Sequence, residues 1–406
     1  MKPEIPASEF ASRRQRLLTA LRGAVGLVPA GDADPNLHHP FEPNAHFLYL
    51  TGIQDEPGAW VLLDPSNPAP SKRVTLLLRP LNPEVEKWDG FRHQIGAPLR
   101  ERTGFETVVR TTLLPRLLLD AARRCRRLAC LMPLSPHTAP VSPDLEIFRR
   151  SAERIPGCAI EDRTHLLAEM RCAKSAAEVA CLRRAAEITA EGFAAVVRSL
   201  KAGMNEFDVQ RVVEEAYREG GARELAYRTI AGSGFNGTVL HYHANNQPLR
   251  DGDLLVLDSA ARWNGYCADV TRTYPVNGRF TPRQRKVYDV VLRSQEAAIA
   301  ACRPGRTLAE IDEAARDVIR RAGLGDGFIH GIGHPLGLQT HDIVPDGKLP
   351  DGTVLTVEPG VYLPEEGFGV RIEDDVHLTR RGPVNLTSGI PKDAGEIERL
   401  MKRSRR

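Results

Sequence analysis

Two stretches of this chain constrain its fold more than any other feature. "KAGMNEFDVQRVVEEAYREGG" (201–221) and "RPGRTLAEIDEAARDVIRRAG" (303–323) align without a gap at an offset of 102. Gly203 matches Gly305, Asp208 matches Glu310, Val209 matches Ile311 and Gly221 matches Gly323. Each copy follows a long predicted helix. One opens at Ser175 with Glu178 and the other at Thr281 with Gln284, both at the spacing of a capping box, in which two side chains satisfy free amides at the helix start. Strand-rich segments follow each copy. A duplicated helix–loop–helix with strands behind it predicts a pseudo-twofold domain, and a site between the halves would draw residues from both.

The strands after the first copy read "DGDLLVLDSAARWNGYCADVTRTYPV". Asn264-Gly265 between alternating residues is a strong signal for a two-residue type I′ hairpin. Pairing Trp263 with Tyr266 makes partners sum to 529, so Asp258 faces Thr271 and Asp269 faces Ala260. Alternation then puts Asp258 and Asp269 on one face as diagonal neighbours. Two carboxylates that close on an apolar face repel and shift each other's pKa unless a cation stands between them.

Two further carboxylates end apolar runs. Glu358 closes "TVLTVEPG", held extended by the proline after it. Glu373 lies in "GFGVRIEDDVHL", where alternation sets Val370, Ile372 and Asp374 on one face and Arg371, Glu373 and Asp375 on the other. Of the twelve histidines, three fall in "FIHGIGHPLGLQTHDIV". His330 and His334 stand at the i, i+4 spacing of a helical zinc pair, but three glycines and a proline in ten residues make a poor helix, and Gly331 occupies the place of the zincin glutamate. Two Asp, two Glu and an imidazole form a hard, oxygen-rich donor set suited to divalent first-row ions, and four carboxylates balance two dications.

At 406 residues the chain exceeds one ordinary core, so two domains are expected. Residues 1–165 carry short apolar runs read as strands ("HFLYLTGI", "AWVLLDP", "RVTLLLRP") and helical patterns ("ASRRQRLLTAL", "TLLPRLLLDAARRC"). Residues 166–406 hold the duplication and the candidate site. The run Arg123, Arg124, Arg126, Arg127 reads as a solvated helix face in preference to an anion site. With 55 Lys and Arg against 52 Asp and Glu, nothing calls for nucleic acid. There is no signal-peptide pattern, nor a window of about 18 apolar residues, so no membrane span is expected. Seven scattered cysteines without a Cys-x-x-Cys predict reduced thiols and a cytoplasmic location.

Taken in order, Asp258, Asp269, His334, Glu358 and Glu373, within "DSAARWNGYCADVTRT", "HGIGHPLGLQTHD", "TVEPG" and "GVRIEDD", resemble the five metal ligands of the pita-bread metallopeptidases. That family includes methionine aminopeptidase, aminopeptidase P, prolidase and creatinase. "FEPNAHFLYLTGI" and "EKWDGFRHQIGA" resemble the amino domain of bacterial aminopeptidase P, so the likeness spans nearly the whole chain. It implies an α+β fold, with a pita-bread catalytic domain (166–406) preceded by an α/β amino domain (1–165) serving substrate access or oligomerisation. It further implies that Asp258 chelates one divalent ion, that His334 and Glu358 hold the other, and that Asp269 and Glu373 bridge both. Manganese is the expected ion, with zinc and cobalt as alternatives. A hydroxide shared by the ions would attack the scissile carbonyl, with Glu358 as proton shuttle. His241 in "TVLHYHANN", His330 and His341 would face the substrate, and Arg371 would hold a carboxylate in place. His243 is read as a solvated neighbour of His241.

The activity so implied is release of an N-terminal residue from peptides with proline second, by a homo-oligomer (dimer or tetramer) without nucleic-acid or membrane partners. An Xaa-Pro dipeptidase is the alternative on the same scaffold. Creatinase-type C–N hydrolysis fits less well, because creatinase lacks the full ligand set. A catalytically silent binding protein fits poorly with five ligands present. Ser259-Ala260 stands where the family has Ala-Gly, the loop "LPEEGF" is short, and Trp88 matches a tryptophan that in aminopeptidase P reaches a neighbouring subunit's site, a core position being the other reading.

Overall fold

The computed structural model describes residues 4–34, 40–343 and 347–404. The chain divides into two compact units, Ile5–Met170 and Arg171–Arg406.

The first unit is built on a six-stranded mixed sheet. In spatial order its strands are Thr107–Arg110, Val74–Leu78, Trp60–Leu63, Val25–Pro29, Arg127–Cys130 and Ala159–Asp162. The first three strands in chain order, Val25–Pro29, Trp60–Leu63 and Val74–Leu78, pair antiparallel at the centre of the sheet, while both flanks are parallel and reached through helices. Leu118 and Phe148, from helices Leu114–Cys125 and Pro143–Ala152, close the core over Val25, Leu27, Leu62, Leu77 and Leu128.

One expectation fails here, and one of two open readings is decided. "HFLYLTGI" is not a strand but the short helix Ala45–Thr51. The Asn44 side chain accepts from the His46 amide, and Gly52 ends the helix in a left-handed conformation. All but its first residue are buried, so a uniformly apolar run carried no period to separate helix from strand. Trp88 is not a core residue, being 87 % exposed. The basic run is largely engaged internally: Arg124 pairs with Asp64, Arg127 with Glu161, and Arg126 donates to the Pro156 carbonyl.

In the second unit the duplication is physical. Helices Glu206–Glu219 and Leu308–Arg321 each begin with a capping box, Asn205 with Asp208 and Thr307 with Glu310. The preceding helices, Ala176–Ser199 and Pro282–Ala301, carry the expected boxes at Ser175/Glu178 and Thr281/Gln284. Each long helix packs on its short successor. Gly203 and Gly305 share a left-handed φ, +89° and +87°, and each donates its amide to a matching carbonyl, Leu249 and Leu349.

From those leucines the two copies run in step at an offset of 100 into strands Leu254–Asp258 and Val354–Val357. Asp258 and Glu358 therefore occupy equivalent places, each at the end of a buried strand. The hairpin register is as expected: Trp263 pairs with Tyr266 and Thr271 with Asp258. Asn264 and Gly265 both take positive φ (49° and 83°), as a type I′ turn requires.

Candidate metal centre

The histidine segment is not helical. Ile332, His334 and Leu336 run antiparallel beside Val354–Val357: the Glu358 and Thr356 amides donate to the Ile332 and His334 carbonyls, and the Leu336 amide to that of Val354. Gly333, between them, has φ +150° and lies so close to Thr356 that a Cβ would stand 2.3 Å from its carbonyl oxygen. Only glycine fits there, and the fit presses His334 against the strand that ends at Glu358.

Around this pairing the acidic side chains gather. Ligand atoms of Asp269, His334 and Glu373 all lie within 4.8 Å of one another. The His334 Nε2 is 3.5 Å from Asp269 Oδ2 and 3.6 Å from Glu358 Oε1. Asp258 is turned differently, one oxygen accepting from the Tyr227 hydroxyl at 2.6 Å and the other from Arg371 Nη2 at 2.5 Å. Glu373 is steadied by the Thr271 hydroxyl (2.8 Å), which itself accepts from Arg371 Nε (3.0 Å). Arg371 thus holds Asp258 directly and Glu373 through Thr271.

Strand alternation around Glu373 also decides what its neighbours do. Asp375, on the same side, accepts from the Asp269 amide at 3.2 Å, while its Oδ1 is buried without a partner among the described residues. Asp374, on the other side, faces Arg272 and Lys392.

The cluster is electrostatically unbalanced. Burial, then Asp258 and Glu358, push the Asp269 carboxyl well above the usual range. Glu373 is raised by burial and by Asp269, Glu358 and Asp258, against the opposing pull of Arg371. Glu358 is pushed up to about 8, again chiefly by burial. Burial and His341 drive His334 down to about 4, so its ring is neutral at ordinary pH. Its Nδ1 lies 3.1 Å from the Pro335 carbonyl, which can only accept. The proton is therefore on Nδ1, and the Nε2 lone pair points at two carboxylates. Once those carboxyls are ionised, the arrangement is repulsive without a cation and fits one well.

Asp258, His334, Glu358 and Arg371 line one cleft of about 240 Å³ together with His241, His330 and His341. His341 packs against His334, ring centres 4.0 Å apart and planes tilted by 44°. His330 lines the cleft, but Nδ1 bonds the Gly331 carbonyl and Nε2 the Tyr362 hydroxyl, so both nitrogens are engaged within the protein. The Tyr362 hydroxyl also accepts from Arg371 Nη1 at 3.0 Å. His243 is not the solvated residue expected: it is half-buried, with its Nδ1 enclosed and unpartnered among the described residues.

Sequence reasoning passed over Tyr227, Thr271 and Tyr362. Tyr362 carries a usable signal, a polar-tipped residue in the strand directly after "TVEPG". Tyr227 carries none, since its neighbours show no period.

Comparison with known proteins agrees with this construction. A duplicated α+β unit around a buried cluster of carboxylates and one neutral imidazole is what the sequence resemblance implies, and the chain belongs to metallopeptidase family M24, whose model matches residues 180–380. The model for the aminopeptidase P N-terminal domain matches residues 10–129. The Xaa-Pro aminopeptidase of Escherichia coli is 34 % identical over 99 % of both chains. Xaa-Pro aminopeptidase 3 of Rattus norvegicus is 30 % identical over 99 % of this chain and 87 % of its own. Among solved structures, Pseudomonas aeruginosa aminopeptidase PepP superposes with a TM-score of 0.90 at 31 % identity over the full length of both chains. A putative aminopeptidase P from Bacillus anthracis gives 0.91 at 29 % identity, covering 98 % of this chain and 99 % of its own. The expected fold, a pita-bread catalytic domain behind an aminopeptidase-P-type amino domain, is borne out. No described helix is long and apolar enough to cross a membrane.

Proposed function

We propose that the protein is a metal-dependent aminopeptidase that removes the N-terminal residue from peptides whose second residue is proline. The observation that carries this reading is the neutral His334, its Nε2 lone pair aimed at Asp269 and Glu358 inside a cluster with Glu373. Asp258 would hold one divalent ion, His334 and Glu358 the second, and Asp269 and Glu373 both. When bound, a pair of such ions supplies an acidified water and a clamp for the reacting carbonyl. Manganese is the ion we assign, on the family resemblance; the oxygen-rich donor set is compatible with it and also with zinc or cobalt.

The chain's own residues supply the rest. Glu358, on the cleft wall beside His334, is the residue we assign to take a proton and hand it to the leaving proline nitrogen. His241 and His341, on the cleft wall, are placed to donate to the oxygen that gains charge as the carbonyl is attacked. Arg371 and Tyr227 fix the Asp258 carboxylate. His330, with both nitrogens spent, holds the Tyr362 hydroxyl and shapes the wall. A homo-oligomer and a cytoplasmic location complete the reading, the latter supported by seven cysteines that stand as free thiols.

The deciding experiment assays Xaa-Pro-Yaa tripeptides against Xaa-Pro dipeptides, with and without added Mn²⁺, alongside elemental analysis. We expect tripeptide cleavage that depends on about two ions per chain. Cleavage confined to dipeptides would replace this reading with a dipeptidase, and no metal with no turnover would leave a binding protein.

A further inference from the structure

The cleft segment that carries His241 lies between Ser233 and Gln247. After the short turn Gly234–Thr238 it has no regular structure. One side chain spans it. Glu206, the first residue of helix Glu206–Glu219, is completely buried. Its Oε1 accepts from the Ser233 amide at 2.8 Å and from Asn236 Nδ2 at 3.0 Å. Its Oε2 accepts from the Tyr242 hydroxyl at 2.8 Å and from the Gln247 amide at 3.0 Å.

These four donors bracket His241, two on each side in sequence. Two are backbone amides, which can only donate. A carboxylate satisfies all four, whereas a carboxamide of the same shape must turn its NH2 toward two of them, one a backbone amide. A buried carboxylate with no cationic partner among the described residues is a costly choice for packing alone. Its two oxygens instead close the loop onto the helix at both ends.

We propose that Glu206 is the positioning residue for His241: it clasps the 233–247 segment so that the imidazole stands in the cleft, and it acts on turnover through His241 and not through the metal cluster. Backbone bonds from Gly203, Glu206 and Leu249, and the Asn245 side chain on Ala231, Thr229 and Gln210, tie the base of the segment independently, so loss of the carboxylate loosens the loop around His241 without unseating the helix. The inference rests on the peptidase reading for its effect on turnover, though not for the clasp itself.

The test uses the full-length metal-loaded protein and the substitution Glu206→Gln. Amide hydrogen exchange should quicken in 233–247 and stay unchanged in 330–341, with the metal content of wild type. Turnover of an Xaa-Pro-Yaa peptide should fall about tenfold or more, and the same change placed on His241→Ala should cost less than about twofold further. Tyr242→Phe, which removes one donor and keeps the ring, should show the same non-additivity on a smaller scale and serves if Glu206→Gln does not fold. Equal losses in both backgrounds, or unchanged exchange in 233–247, would overturn the proposal. If wild type cleaves no such peptide, the peptidase reading fails, and the exchange measurement decides the clasp alone.

Discussion

Glu373 and Asp374 are neighbours in sequence, equally buried, and opposite in electrostatics. Asp374 receives Arg272 Nη2 at 2.7 Å, Lys392 Nζ at 2.6 Å, Gln295 Nε2 at 3.1 Å and the Thr387 hydroxyl at 2.8 Å. Burial alone would raise its pKa, but Arg272 and Lys392 overcome that and hold it below the ordinary value. Glu373 accepts one hydroxyl and looks onto three other carboxylates, and its pKa is driven upward. A strand's alternation sends one acid to a closed ion-pair network and the next to a cluster short of positive charge. Burial is common to both, so it is charge closure that separates the structural carboxylate from the one awaiting a cation.

The largest effect should come from the open side. Asp269→Ala or Glu373→Ala removes a carboxylate we assign to both ions, so metal stoichiometry should collapse and kcat/KM fall on the order of a thousandfold or more. Stability of the metal-free state should hold or rise at high pH, where the remaining carboxyls ionise with one like charge fewer. Full metal content in Asp269→Ala would break the contrast at its centre.

On the closed side, Arg272→Met should leave Asp374 buried with one cation fewer. A loss of about 3–5 kcal/mol in denaturant unfolding is expected, while the folded fraction binds metal as wild type does. A variant that unfolds no more easily yet loses metal would show that the two networks are one.

Smallest is the pH response of the metal-free protein. Glu358 rises from 4.5 to about 8 on folding, so its contribution is complete below its unfolded pKa and is lost as pH climbs through about 8. Asp269 and Glu373 are shifted with the same sign. Asp374 is depressed, so its contribution is present above its unfolded pKa of 3.8 and is lost only as pH falls below that. The melting temperature of metal-free protein should therefore decline between about pH 5 and 9, and added metal should flatten that slope. A flat metal-free profile would mean that some other cation already closes the cluster.

Local rules in the sequence carry far here. Asn264-Gly265 determined the turn, the turn set the register, and the register set Asp258 against Thr271. Four helix starts follow from a capping residue and an acid or amide three places on. The glycines and proline of residues 330–341 excluded a helical histidine pair, because missing Cβ atoms and a missing amide weaken any helix regardless of its surroundings. Tertiary structure alone decided what lay beyond that reach. It made "HFLYLTGI" a helix, since a run buried on nearly every side has no period to read. It brought Tyr227 to Asp258 across 31 residues and Tyr362 to His330 across 32. It also assigned Arg272 to Asp374 and left Glu373 to its fellow acids. Partners of this kind are chosen by where separate strands cross, and a one-dimensional pattern records which face a residue takes but not what it will meet there.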